Sequence, residues 1–190
     1  MKATFALLAD TAVSNFVRKL AWEIHQKYGT GTGVCRLLPH VSLKQLFEIE
    51  DVPRLEDYMD EFAPTIHPFA IKCFELQLVS TTFTGMETAI LWLDVQETAY
   101  LRQLHDRLNR ELGQRFGNTR AAFDGPDYHF HMTVMMGGRP IEVYRQMYDE
   151  IPERVVNLEF VANTLAMFVY DEPLGLNGEY MTYKILPIGE

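Results

Sequence analysis

The sequence lacks any apolar run long enough to cross a bilayer, any glycine-rich phosphate loop and any close pair of cysteines. Each absence closes off a class of protein. A membrane-spanning helix needs about 20 consecutive apolar residues, and no stretch here approaches that. The short run from Thr4 to Ala9 has one Lys before it and Asp10 directly after it, so it does not read as a secretory signal. Gly137-Gly138 stands outside any G-x-G-x-x-G or P-loop pattern, so no dinucleotide or nucleoside-triphosphate fold is indicated. The two cysteines, Cys35 and Cys73, are too far apart for C-x-x-C. Each lies among apolar neighbours, and both read as reduced core residues of a cytoplasmic protein. Cations are also scarce: 17 Lys and Arg stand against 26 Asp and Glu, a net charge of −9. An extended nucleic-acid groove needs clustered cations to displace counterions, so none is expected. A small anionic ligand, or one end of an RNA, needs only a local basic spot.

What is present suits a packed domain. The 190 residues are 47% hydrophobic and 12% aromatic, enough for one domain or two closely packed lobes of about 90 residues each. A strand is expected over 3–9. Asp10 or Thr11 then caps a helix with Val13, Phe16, Val17, Leu20, Ile24 and Tyr28 inward, and Gly29 ends it. Asp51 caps a second helix with Leu55, Tyr58, Met59 and Phe62 inward, followed by a half-buried strand over 69–79 and a Thr-rich hairpin loop over 80–88. The order then repeats. A strand over 89–95 leads to a helix capped by Thr98, with Leu101, Leu104, Leu108, Leu112 and Phe116 inward. Gly117 stops that helix, and a polar loop runs over 117–127. Pro140 opens a further helix, and three strands over 155–162, 164–170 and 180–186 finish the chain.

Two short motifs sit at matching places in this repeat. In Pro39-His40-Val41-Ser42-Leu43-Lys44, strand alternation puts His40 and Ser42 on one face and Val41 and Leu43 on the other. Over 128–138, Y-H-F-H-M-T-V-M-M-G-G, the same period puts His129, His131, Thr133 and Met135 on one face and Phe130, Met132, Val134 and Met136 on the other. Phe69 follows His40 by 29 residues, and Phe160 follows His131 by the same interval. A supersecondary unit therefore occurs twice, in lobes of roughly 1–80 and 81–190 that are able to exchange terminal strands. Packing about a pseudo-two-fold axis would bring both motifs to one cleft. Two imidazoles across a cleft form an acid–base pair near neutral pH. A hydroxyl beside each can bind the non-bridging oxygens of a tetrahedral phosphate.

The pieces PHVSL (39–43) and HMTV (131–134), with FALLAD at 5–10 ahead of the long helix, make the chain resemble the 2H phosphoesterase superfamily, with its 2′,5′ RNA ligase-like and cyclic phosphodiesterase members. The resemblance covers nearly the whole chain. It implies an α+β bilobal duplicated fold, with two small antiparallel sheets facing a central cleft and helices outside. By the same resemblance His40 and His131 are the catalytic pair, Ser42 and Thr133 bind phosphate, and no metal or other cofactor is needed. Substrates would be 2′,3′-cyclic phosphates or 2′,5′-linked nucleotides, some on RNA ends. The first motif carries Ser where Thr is commoner; Ser keeps the hydroxyl and loses the β-branch.

Other candidates are weaker. Lys44 follows Ser42 on the same strand face and offers charge to a phosphate. Arg36 and Arg120 lie in the loops that precede the two motif strands. Tyr128, Phe168 and Tyr180 offer rings on which a base could stack. His129 shares a face with His131 and could contact substrate. His129, His131 and His40 together could also hold a metal, although no third and fourth ligand shows a recognisable spacing. His25, His67 and His105 fall away from the motifs and take no role. Three readings follow: a metal-independent phosphoesterase, a nucleotide or RNA-end binding module on the same fold, and a metal-dependent hydrolase.

Overall fold

A computed structural model describes the chain apart from residues 32, 84, 152–154, 171–179 and 190 and the side chains of Phe83 and Tyr180. Among the described residues are nine strands, which form two antiparallel sheets, and four α-helices. The strands are β1 (Lys2–Leu8), β2 (His40–Ser42), β3 (Phe47–Glu48), β4 (Phe69–Phe83), β5 (Met86–Val95), β6 (His131–Met136), β7 (Val155–Ala162), β8 (Thr164–Tyr170) and β9 (Tyr180–Pro187). The helices are α1 (Thr11–Tyr28), α2 (Val52–Phe62), α3 (Ala99–Phe116) and α4 (Ile141–Glu150). The first sheet runs β2-β1-β8-β9, with β3 also on β1, and the second runs β6-β5-β4-β7. The α+β architecture with paired antiparallel sheets is the one expected. The two halves of the sequence exchange strands: β8 and β9 complete the first sheet, and β4 lies inside the second.

Local chemistry sets the helix ends. Asp10, Asp51 and Thr98 each accept a hydrogen bond from a backbone N–H three residues on, from Val13, Arg54 and Leu101 respectively. Gly29 closes α1 in the left-handed conformation, φ 63°, with its N–H on the His25 carbonyl. The buried stripe of α1 is Val13, Val17, Ala21 and Ile24, so Phe16, expected inside, falls off that stripe and is exposed. α1 and α4 pack on the second sheet. α2 and α3 cover the first, where Tyr58 meets Phe5 edge-on and His105 binds the Leu43 carbonyl. One continuous apolar core joins the helices to the inner faces of both sheets.

Two expectations about the second sheet need correction. The loop expected over 80–88 is mostly strand. Thr81 pairs with Thr88, Thr82 with Glu87 and Phe83 with Met86, leaving a tight turn at Gly85, φ 81°. Threonine is β-branched and favours the pleated sheet, so a Thr-rich stretch here is strand and not loop. In β6 the register slips between the pairs Leu91–Met135 and Trp92–Thr133, which leaves Val134 as an extra residue. This bulge reverses the alternation beyond it: Met135 is buried in the core and Met136 is exposed, the opposite of the expected faces. Among the described residues, no helix is long and apolar enough to cross a membrane.

Candidate active site

The two motif strands are the edge strands of their sheets, and these edges lie against each other. In β2, His40 stands opposite Leu8 and Ser42 opposite Ala6. Directly opposed residues share a face, so both polar side chains sit beside a small apolar cluster of Ala6, Leu8, Ala166 and Phe168. The alternate residues, Val41 and Leu43, are fully buried in the main core and lock that orientation. In β6, His131 stands opposite Asp94 and Thr133 opposite Trp92, while Met132 and Val134 are buried. His40 and Thr133 line one pocket between the strands, together with Arg18 of α1 and Leu38.

The same backbone device orients both imidazoles. His40 Nδ1 donates to the Leu38 carbonyl at 2.7 Å, and His131 Nδ1 donates to the His129 carbonyl at 3.0 Å. A carbonyl oxygen only accepts, so Nδ1 holds the proton in each ring and Nε2 is left for chemistry. Ring contacts complete the setting. His40 meets Phe168 edge-on with centroids 4.7 Å apart, and His131 stacks on Trp92 at 4.2 Å. Burial pushes the His40 pKa down to about 4, against the Leu38 hydrogen bond and with a further push from His131. Burial also lowers that of His131; its backbone bond and Asp94 oppose the shift, and His129 adds to it.

The other candidates fare unequally. Lys44 is fully buried and ion-paired with Asp124, so its ammonium does not reach the cleft. Burial lowers its pKa against the pull of Asp124. The same carboxylate accepts from the backbone N–H of Ala121 at 2.8 Å and of Gln45 at 3.3 Å. Tyr128 is a buried strut and offers no ring for stacking a base: its hydroxyl donates to the Ser42 carbonyl at 2.9 Å, and its ring stacks on His105 at 4.2 Å. Phe168 is likewise buried beneath His40. Arg36 is exposed, and Arg120 lines a different pocket, with Asn109 and Gly125. His129 is exposed beside His131, its Nε2 2.6 Å from Asp94 Oδ1. The side chain of Tyr180 lies outside the described residues. Among the described residues, no three His, Cys, Asp or Glu side chains group to hold a metal ion, the His40, His129 and His131 set included.

Three residues escape the sequence reading. Trp92 and Asp94 sit on β5, directly across from the second motif, and Trp92 Nε1 donates to Asp94 Oδ1 at 2.9 Å. Their signal is a ring and a carboxylate two apart in an apolar strand, but only the register links them to His131. His105, expected to be remote, is fully buried, with Nδ1 2.8 Å from the Leu43 carbonyl and Nε2 accepting from the Gly125 N–H at 3.3 Å. Its place inside the α3 stripe, four residues after Leu101, is the signal.

Comparison with known proteins agrees with this fold. The fold is similar to the crystal structure of TT0787 from Thermus thermophilus, with TM-score 0.65, 14% identity and 100% of both chains covered. It is similar to Escherichia coli LigT complexed with 3′-AMP, with TM-score 0.64, 16% identity and coverage of 100% of this chain and 98% of that one. Usb1 of Kluyveromyces marxianus aligns with TM-score 0.50, 12% identity and the same coverage. At such identities the likeness is one of fold. No curated protein sequence matches the chain. The family model of the 2′-5′ RNA ligase superfamily matches residues 9–173, a span that holds both motif strands, and the chain belongs to that superfamily, the 2H phosphoesterases.

Proposed function

We propose that the chain is a metal-independent phosphoesterase that opens 2′,3′-cyclic phosphates or cleaves 2′,5′-phosphodiester bonds of nucleotides or RNA ends, or joins them in reverse. His40 and His131 exchange the protons, and Ser42 and Thr133 bind the phosphate. The observation that supports the reading is the matched pair of Nδ1–carbonyl bonds, which leaves Nε2 of each ring unprotonated on edge strands that lie against each other. In hydrolysis of a cyclic phosphate, one neutral Nε2 takes a proton from water as its oxygen bonds to phosphorus. The bond from phosphorus to one ribose oxygen breaks, and the other imidazolium gives that oxygen its proton. The strong burial shift at His40 suits the base, and the Asp94 carboxylate near His131 supports the charged acid. Roles reverse for ligation. The net charge of −9 favours small nucleotides or chain ends over long RNA.

The test is turnover of nucleoside 2′,3′-cyclic phosphates and 2′,5′-linked dinucleotides in excess EDTA. Wild type would be run beside His40→Ala and His131→Ala. The expected result is turnover in EDTA and a loss of about two to four orders of magnitude in each variant. Turnover that vanishes with EDTA would hand the reaction to a metal. Nucleotide binding without turnover would make the chain a binding module.

A further inference from the structure

The face that carries His131 and Thr133 does not stop at β6. Register extends it across the second sheet: His131 opposes Asp94, and Asp94 opposes Glu75; Thr133 opposes Trp92, and Trp92 opposes Gln77. Two rows thus lead from the motif side chains over β5 to β4. The side chains also touch along and between these rows. Trp92 stacks on His131 and donates to Asp94, and Gln77 Nε2 donates to Glu75 Oε2 at 2.8 Å. Glu75, Gln77, Trp92 and Asp94 are all partly exposed, as the lining of a cleft must be.

The two sides of the cleft differ in chemistry. Beside His40 and Ser42 lie Ala6, Leu8, Ala166 and Phe168, which offer no hydrogen bonds from their side chains. Beside His131 and Thr133 lie an indole, an amide and two carboxylates. An ionised carboxylate only accepts hydrogen bonds. Among the described residues, Glu75 Oε1 and Asp94 Oδ2 have no hydrogen-bond partner. Such a surface repels a second phosphate and attracts a donor on a flat ring.

Building on the phosphoesterase reading, we propose that this face selects the nucleoside part of the substrate, with the base packed beside the indole of Trp92, which already stacks on His131 and His129, and an exocyclic amino group of the base donating to Glu75. Two strand spacings, about 10 Å, separate β6 from β4, a span that a nucleoside bridges from its ribose phosphate to the far edge of its base. Adenine and cytosine present an amino donor there, whereas uracil presents a carbonyl acceptor, which a carboxylate cannot satisfy. Glu75 is then a specificity residue set apart from the proton-transfer pair.

The experiment compares kcat/KM on the 2′,3′-cyclic phosphates of adenosine, cytidine and uridine for the wild type and Glu75→Gln, with thermal melts to confirm folding. Gln keeps the shape and can donate to a uracil carbonyl. In parallel, 3′-AMP, 3′-CMP and 3′-UMP are titrated into Trp22→Phe, which leaves Trp92 as the single fluorescent indole. The wild type should favour the amino-bearing bases about tenfold or more, mostly through KM, and Glu75→Gln should bring the ratio close to one. A wild type without preference, or a preference that survives Glu75→Gln, overturns the assignment. An equal loss on all three nucleotides overturns base selection and gives Glu75 a ribose hydroxyl instead. Amino-base preference in the titration without any turnover sustains this inference and sinks the catalytic reading. Turnover that depends on His40 but ignores the base does the reverse.

Discussion

The Tyr128 hydroxyl reaches across 86 residues of sequence to donate to the backbone carbonyl of Ser42 at 2.9 Å. The segment that leads into the second motif therefore holds the first. Neighbouring bonds act the same way. His105 takes the next carbonyl, Leu43, and Arg102 donates to the carbonyls of Gly125 and Tyr128 at 2.8 and 2.6 Å. Side chains from the second half of the chain thus fix the backbone under Ser42.

Tyr128→Phe keeps the ring stacked on His105 and deletes one bond. Stability should fall by about 1–2 kcal/mol, because a carbonyl near the core loses its donor. The activity loss should be partial and seated in kcat, since Ser42 keeps its hydroxyl and loses only its support. Urea unfolding and steady-state kinetics read both; an unchanged melt would refute the strut.

The buried pair of Lys44 and Asp124 makes an asymmetric prediction. Asp124→Ala strands an ammonium and two backbone N–H groups, and should cost about 3–5 kcal/mol. Lys44→Met leaves the carboxylate its two N–H donors and should cost less. If Lys44→Met instead raised KM at unchanged stability, the lysine would be a phosphate contact after all.

His40 supplies a pH signature. Its folded pKa of about 4 lies below the ordinary histidine value of 6.5, so between these values the unfolded chain binds the proton and the folded chain does not. Its stability contribution is fully present above 6.5 and is lost as pH falls towards 4. An NMR titration of the free protein should show a His40 midpoint near 4, rising when a nucleotide phosphate binds. A midpoint at or above 6.5 in the free protein would contradict the buried setting.

The hydroxyls can be tested without disturbing the histidines. On the proposed reading, Ser42→Ala and Thr133→Val each remove one donor to the transition-state phosphate and should lower kcat by about 10²–10³, with melts close to wild type. A rise in KM at unchanged kcat in both variants would assign the hydroxyls to ground-state binding alone.

How much of this is legible in the chain follows the range of each interaction. Helix caps act over three residues, so Asp10, Asp51 and Thr98 are readable, as is the alternation that aims His40 and Ser42. Lys44 is misleading in sequence because its partner, Asp124, lies 80 residues away. Met135 and Met136 fall on the faces opposite to those expected because a bulge is a property of two strands and not of one. Trp92 and Asp94 belong to the site only through the register of β5 on β6, which local patterning does not encode.

Both motif strands end their sheets, and a sheet edge presents open N–H and C=O groups that invite a foreign strand. Here the two edges close on each other. The seam that would hold the substrate is also what denies those edges to other chains, so mutations that splay β2 from β6 should be scored for self-association as well as for activity.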